Sequence, residues 1–130
     1  MSKGTILATL FLFISFMSLT GFAPKGNDCK ILHKGTFEYG DDESKVRVEI
    51  NGKNHTEYHD GGKYIIRSKI EWVSDCEYNM TMTEITIPNF PYKVGDVMNV
   101  QVNKIEGKEI FYTSTVQGKS WPGRLTKIDK

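Results

Sequence analysis

The chain has 130 residues, is 38% hydrophobic and 25% charged, and carries a formal net charge of +1. That length holds one small domain. Seventeen Lys and Arg against sixteen Asp and Glu leave no basic surplus, which excludes a phosphate-tracking surface that draws its affinity from counterion release. The charges are interspersed, as in Lys45-Val46-Arg47-Val48-Glu49, and read as a solvated face.

Residues 1–23 read as an export signal, with an apolar helix as its h-region. Lys3 supplies the positive start, and Ile6 to Leu19 form an apolar run shorter than the ~20 residues of a bilayer-spanning helix. Gly21-Phe22-Ala23 fits a small-x-small cleavage pattern, although Pro24 would follow the cut; cleavage after Thr20 is the alternative. Leu19-Thr20-Gly21 opens like a bacterial lipobox, but Phe22 stands where the lipidated cysteine belongs, so a lipid anchor has no attachment atom. The expected mature protein, residues 24–130, is a single β-domain that is periplasmic or secreted, monomeric and without a membrane span.

Cys29 and Cys76 are the only two cysteines. In an oxidising compartment such a pair forms one disulfide. Closing a loop of about 50 residues stabilises by roughly 4 kcal/mol in the chain-entropy model. No Cys-x-x-Cys pair or closely spaced ligand set supports redox or zinc chemistry.

From there on the pattern predicts strands at about 35–40, 45–50, 53–59, 63–73, 76–85, 97–105, 109–116 and 121–128. Each is rich in Val, Ile, Thr, Tyr or Phe and bounded by turn residues. Asn51-Gly52 predicts a two-residue type I′ hairpin loop. Val46, Val48 and Ile50 alternate with Lys45, Arg47 and Glu49; Tyr64, Ile66, Ile70 and Trp72 alternate with Arg67, Lys69 and Glu71. Cys76, Tyr78, Met80 and Met82 give a further inward row, and Met98, Val100 and Val102 another. One apolar and one wet face per strand is the pattern of an antiparallel meander. About eight such strands close into a lipocalin-like barrel or half-barrel, which removes the exposed edges. Pro88-Asn89-Phe90-Pro91-Tyr92 marks the one long loop.

Motifs for chemistry are sparse, and the expectation is a non-enzymatic domain with no cofactor and no metal. His55-Thr56-Glu57-Tyr58-His59 holds the only cluster of potential metal ligands. On a strand its histidines sit about 13 Å apart, too far to share one ion, so both read as exposed. Gly-x-Ser-x-Gly is absent, and Ser74-Asp75 reads as a turn. Gly107-Lys108 and Gly118-Lys119-Ser120 lack the upstream glycine of a phosphate loop. Asp41-Asp42-Glu43 reads as a solvated acidic turn, since no calcium-loop spacing follows. Asn54-His55-Thr56 and Asn79-Met80-Thr81 match the glycosylation sequon, a pattern frequent by chance. Tyr64, Trp72, Tyr78, Met80 and Met82 form the one candidate ligand-facing surface, because methionine and aromatic side chains can line an adaptable pocket. Core filling is the competing role of the same row.

Trp72-x-Ser74-Asp75-Cys76-Glu77-Tyr78, preceded by Cys29 and by Gly35-Thr36-Phe37-Glu38-Tyr39, resembles a family of small exported β-domains and lipoproteins of Gram-negative bacteria. The resemblance implies a lipocalin-like or half-barrel fold and assigns no catalytic residues. Some similar sequences carry a DNA topoisomerase label, for which this short, charge-balanced exported chain has neither access to DNA nor room. The functional expectation is binding of a small apolar ligand or a cell-envelope protein. A structural or protein-interaction module with a solid core is the alternative, and a small hydrolase or isomerase comes third.

Overall fold

The computed structural model describes residues 28–128; the expected signal peptide lies outside them. A 3₁₀ turn, Cys29–Leu32, leads into eight strands: β1 Lys34–Tyr39, β2 Val46–Asn51, β3 Asn54–His59, β4 Tyr64–Ser74, β5 Glu77–Ile85, β6 Val97–Glu106, β7 Glu109–Val116 and β8 Lys119–Lys127. Each pairs antiparallel with the next, and β8 returns to β1, so the all-β meander expected from the sequence is a fully closed barrel. Every expected strand is present, with ends displaced by at most two residues.

Closure rests on a short seam, Phe37 opposite Lys127 and Glu38 opposite Thr126. Lys127 compensates for its brevity. Its Nζ donates to the carbonyls of Ile31 and Lys34, each at 2.9 Å, and lies 5.3 Å from the Phe37 ring centre. A cation over an aromatic face and two charge-assisted hydrogen bonds hold the seam and the 3₁₀ turn together.

The β2–β3 hairpin differs from the expectation. Asn51 pairs with Asn54, so the loop residues are Gly52 and Lys53. Gly52 has φ +62° while Lys53 does not enter the positive-φ region, which excludes type I′ and fits type II′ with glycine first.

Strand direction sorts the barrel's ends. The start of β1, the β2–β3, β4–β5 and β6–β7 turns and the end of β8 share one end with the 3₁₀ turn. There Cys29 is bonded to Cys76, with Cα atoms 5.2 Å apart, as the sequence predicted. Cys76 lies in the turn after β4, one residue before β5 starts at Glu77. Leu32 plugs the interior, and the Trp72 ring stacks on His33 at 3.7 Å between centroids. Trp72 Nε1 donates to the Gly52 carbonyl, and His33 Nε2 donates to that of Asp75. A continuous apolar core of Phe37, Val48, Ile50, Ile70, Tyr78, Val100, Val102, Ile110 and Leu125 lies inside this plug.

Candidate functional site

The apolar core does not fill the barrel. A cavity of about 180 Å³ remains on the loop side of the plug, walled by Tyr39, Val48, His55, Glu57, Tyr78, Met80, Met98, Val100, Tyr112, Ser114 and Leu125. Seven strands contribute to it, since β1, β2, β3, β5, β6, β7 and β8 all send inward residues. Its size is near that of an engineered cavity of ~150 Å³ that holds benzene.

Of the five ligand-facing candidates, Tyr78 and Met80 line this cavity. Tyr64 starts β4 opposite His59, half-buried, with Lys63 Nζ 5.3 Å above its ring. Trp72 belongs to the plug, and Met82 is buried opposite Ser68, away from the cavity wall.

The β3 histidines correct the sequence reading. His55 is 4% exposed and lies inside the barrel, and the His59 side chain is 21% exposed. They are not outward-facing strand histidines. Ile50 faces His55 and Val48 faces Glu57 across the β2–β3 ladder, and directly opposed residues share a face. The apolar row of β2 therefore carries His55, Glu57 and His59 inward with it.

Glu57 is the centre of the arrangement. Tyr39 Oη donates to its Oε1 at 2.9 Å, and His59 Nε2 lies 2.8 Å from the same oxygen, as donor, because a carboxylate only accepts. Among the described residues no hydrogen bond falls on Oε2. Burial would raise the Glu57 carboxyl, but the His59 hydrogen bond, the neighbouring His55 imidazole and the Tyr39 hydroxyl outweigh it and hold the group below its ordinary range. A carboxylate whose side chain is only 16% exposed thus stays ionised inside the barrel.

His55 and the three tyrosines of the wall are neutral. Burial pushes the His55 imidazole down, with the Glu57 charge only partly opposing, and its Nδ1 has no hydrogen-bond partner among the described residues. Burial pushes the phenols of Tyr39 and Tyr78 far up and that of Tyr112 up to about 12, so all three stay protonated. Ser68, opposite His55 on β4, has a second buried unpartnered oxygen. Unsatisfied buried polar atoms are few in native proteins, and each calls for a reason.

Tyr112 owes its position to a missing side chain. Gly123 faces it on β8, and a Cβ there would lie 2.6 Å from Tyr112 Oη and closer still to two ring carbons. The phenol therefore lies across bare backbone, in a notch only glycine provides.

Among the described residues no three His, Cys, Asp or Glu side chains gather closely enough to hold a metal ion. The array offers instead one anionic acceptor, a neutral imidazole, phenol donors and two thioethers around a small space. The Cys29–Cys76 bridge is compatible with an extracytoplasmic location, and no helix among the described residues is long and apolar enough to cross a membrane. No protein-family model, curated protein or solved structure matches the chain.

Proposed function

We propose that this protein is an exported, non-enzymatic β-barrel that binds a small ligand inside the barrel, in the periplasm or outside the cell. The observation that carries the reading is the cavity of about 180 Å³, whose wall combines apolar side chains with the Glu57 carboxylate and the unpartnered Nδ1 of His55. A concave, mostly apolar pocket with a few convergent polar groups is the usual form of a small-molecule site. The unfilled interior supports this reading over an interaction module with a solid core. The export signal, the disulfide and the resemblance of the Trp72–Tyr78 motif to small exported domains support the location.

The ligand differs from the purely apolar one expected from the sequence, because an ionised carboxylate beside an apolar molecule would lose hydration without return. Native mass spectrometry of protein purified from its own host tests the reading. A discrete added mass, lost from a variant with the cavity filled by Val100→Phe, is the expected result; an unliganded protein that also rejects small amphipathic molecules in a thermal-shift screen would refute it.

His55, Glu57 and His59 facing one interior favour a second reading, acid–base chemistry on the bound molecule. His33 lies apart from them, in the plug. Incubating a copurified ligand with fresh protein separates the two: an altered mass supports chemistry, an unchanged one supports carriage.

A further inference from the structure

We infer that the barrel's ligand is a small organic primary ammonium ion, held by Glu57 Oε2 against the tyrosine walls. The inference rests on the cavity being a ligand site, and it adds the chemical class.

Three independent features point to a cation with N–H donors. First, Glu57 projects from β3 into the cavity with both of its hydrogen bonds on Oε1, from Tyr39 and His59. Those two contacts fix the carboxylate plane and leave Oε2 as the acceptor presented to a guest. A buried carboxylate is tolerated when it is paired, and here Oε2 has no hydrogen-bond partner among the described residues.

Second, the surrounding walls suit a positive charge. Tyr39, Tyr78 and Tyr112 surround the space, and ring faces attract ammonium groups. The thioethers of Met80 and Met98, directly opposed across β5 and β6, give a polarisable apolar wall for the carbon part of the guest. Lys and Arg are absent from the lining, so no cationic side chain there pairs with a carboxylate or phosphate.

Third, one cleft at the barrel's rim is acidic. His59 also borders a rim cleft of about 380 Å³ with Asp42, Glu43, Asp60 and Lys45. Lys45 is the one cation among those residues, and it is already engaged by Asp42 at 3.6 Å and Glu38 at 3.7 Å. His59 links this cleft to Glu57, and acidic groups in a cleft raise the local concentration of cations.

Size narrows the class further. A space slightly larger than a benzene-holding cavity admits about six to ten non-hydrogen atoms. An arylalkyl or short alkyl monoamine fits, whereas a lipid or a peptide does not. The unpartnered Nδ1 of His55, on a neutral ring, is a second group within the wall that an ammonium or hydroxyl substituent can engage by reorienting the imidazole.

Isothermal titration of the oxidised protein at pH 7.5 with four probes that share a phenylethyl group tests this. Phenethylammonium is expected to bind roughly tenfold or more tighter than 2-phenylethanol and than 3-phenylpropionate. The trimethylated analogue, which keeps the charge, loses the donors and adds three carbons, is expected to bind more weakly than the amine. Glu57→Gln should remove the amine's advantage and leave the alcohol's affinity within about threefold. In the wild-type protein, the Glu57 side-chain carboxyl carbon resonance should move on adding the amine and stay in place with the alcohol, which keeps the test open if the variant does not fold. Equal binding of alcohol and amine, tighter binding of the carboxylate or the trimethyl compound, or an amine affinity indifferent to Glu57→Gln overturns the ammonium assignment while leaving the cavity a ligand site. Failure of all four probes overturns both.

Discussion

At the plugged end of the barrel, Cys29, Leu32, Trp72, His33 and Ile110 meet in a packed layer in which the polar atoms named above all have partners. Beyond the plug, Tyr39, Glu57, His55, Tyr112 and Met98 surround a space, and a charge is kept in the interior. The first region follows the rules of stability: apolar area is buried, a covalent bridge is added, and tryptophan is placed where its N–H reaches a carbonyl. The second breaks them, since a buried carboxylate and unpartnered polar atoms cost free energy. Proteins depart from local consistency mainly where function requires it, and the contrast between the two ends therefore marks the site.

The largest test of the contrast is the bridge. Cys29→Ser with Cys76→Ser should lower stability by roughly 4 kcal/mol through the freed loop of 47 residues. For a domain of this size that is a fall in Tm of about 15–30 °C by differential scanning calorimetry. A shift of only a few degrees would mean that the apolar plug, and not the disulfide, holds that end.

A smaller effect belongs to the notch under Tyr112. Gly123→Ala should destabilise by about 1–3 kcal/mol through overpacking against the phenol. The same substitution in a Tyr112→Ala background should cost much less, as neighbours in contact are not additive. Equal costs in both backgrounds, measured by urea unfolding, would show that the two residues do not constrain each other.

The mildest effect is a pH slope arising in the polar half. The folded-state pKa of His55 is depressed below its ordinary 6.5, so below about pH 6.5 the unfolded chain binds the proton and the folded barrel resists it. Stability should therefore fall as pH drops from 7.5 to 5.5, by at most about 1.4 kcal/mol per pH unit for this one proton. Glu57, held below its ordinary 4.5, adds a second loss under about pH 4.5 in the same direction, as its carboxylate becomes protonated. His55→Gln should flatten the upper part of the profile and leave the acid limb. An unchanged slope between pH 7.5 and 5.5 in that variant would remove His55 from the account.

Much of this barrel could be read along the chain, and the reasons are local. Alternation in Val46-Arg47-Val48-Glu49-Ile50 assigns faces without knowledge of any neighbour, and Gly-containing turns space the strands. Two cysteines leave one intramolecular pairing. The inward facing of His55, Glu57 and His59 was also within reach, by parity. With any two-residue loop after β2, odd-numbered residues of β3 oppose the even-numbered apolar row of β2, whichever pair makes the turn. The composition of β3 hid this, because Asn54-His55-Thr56-Glu57-Tyr58-His59 is polar on both faces and gives hydropathy nothing to sort.

The sequence by itself determined the strands, the faces of those with apolar alternation and the bridge, since each depends on residues close in the chain or on a pairing with one solution. Only the tertiary structure decided that Tyr39 from β1 meets Glu57 from β3, that Tyr112 from β7 leans into the Gly123 notch of β8, and that a cavity stays open among them. The two contacts follow from the registers of β1–β2–β3 and β7–β8, and the cavity depends on the closure of β8 onto β1 and on the shear of the whole barrel. No single strand carries that information, because closure is a property of the ring.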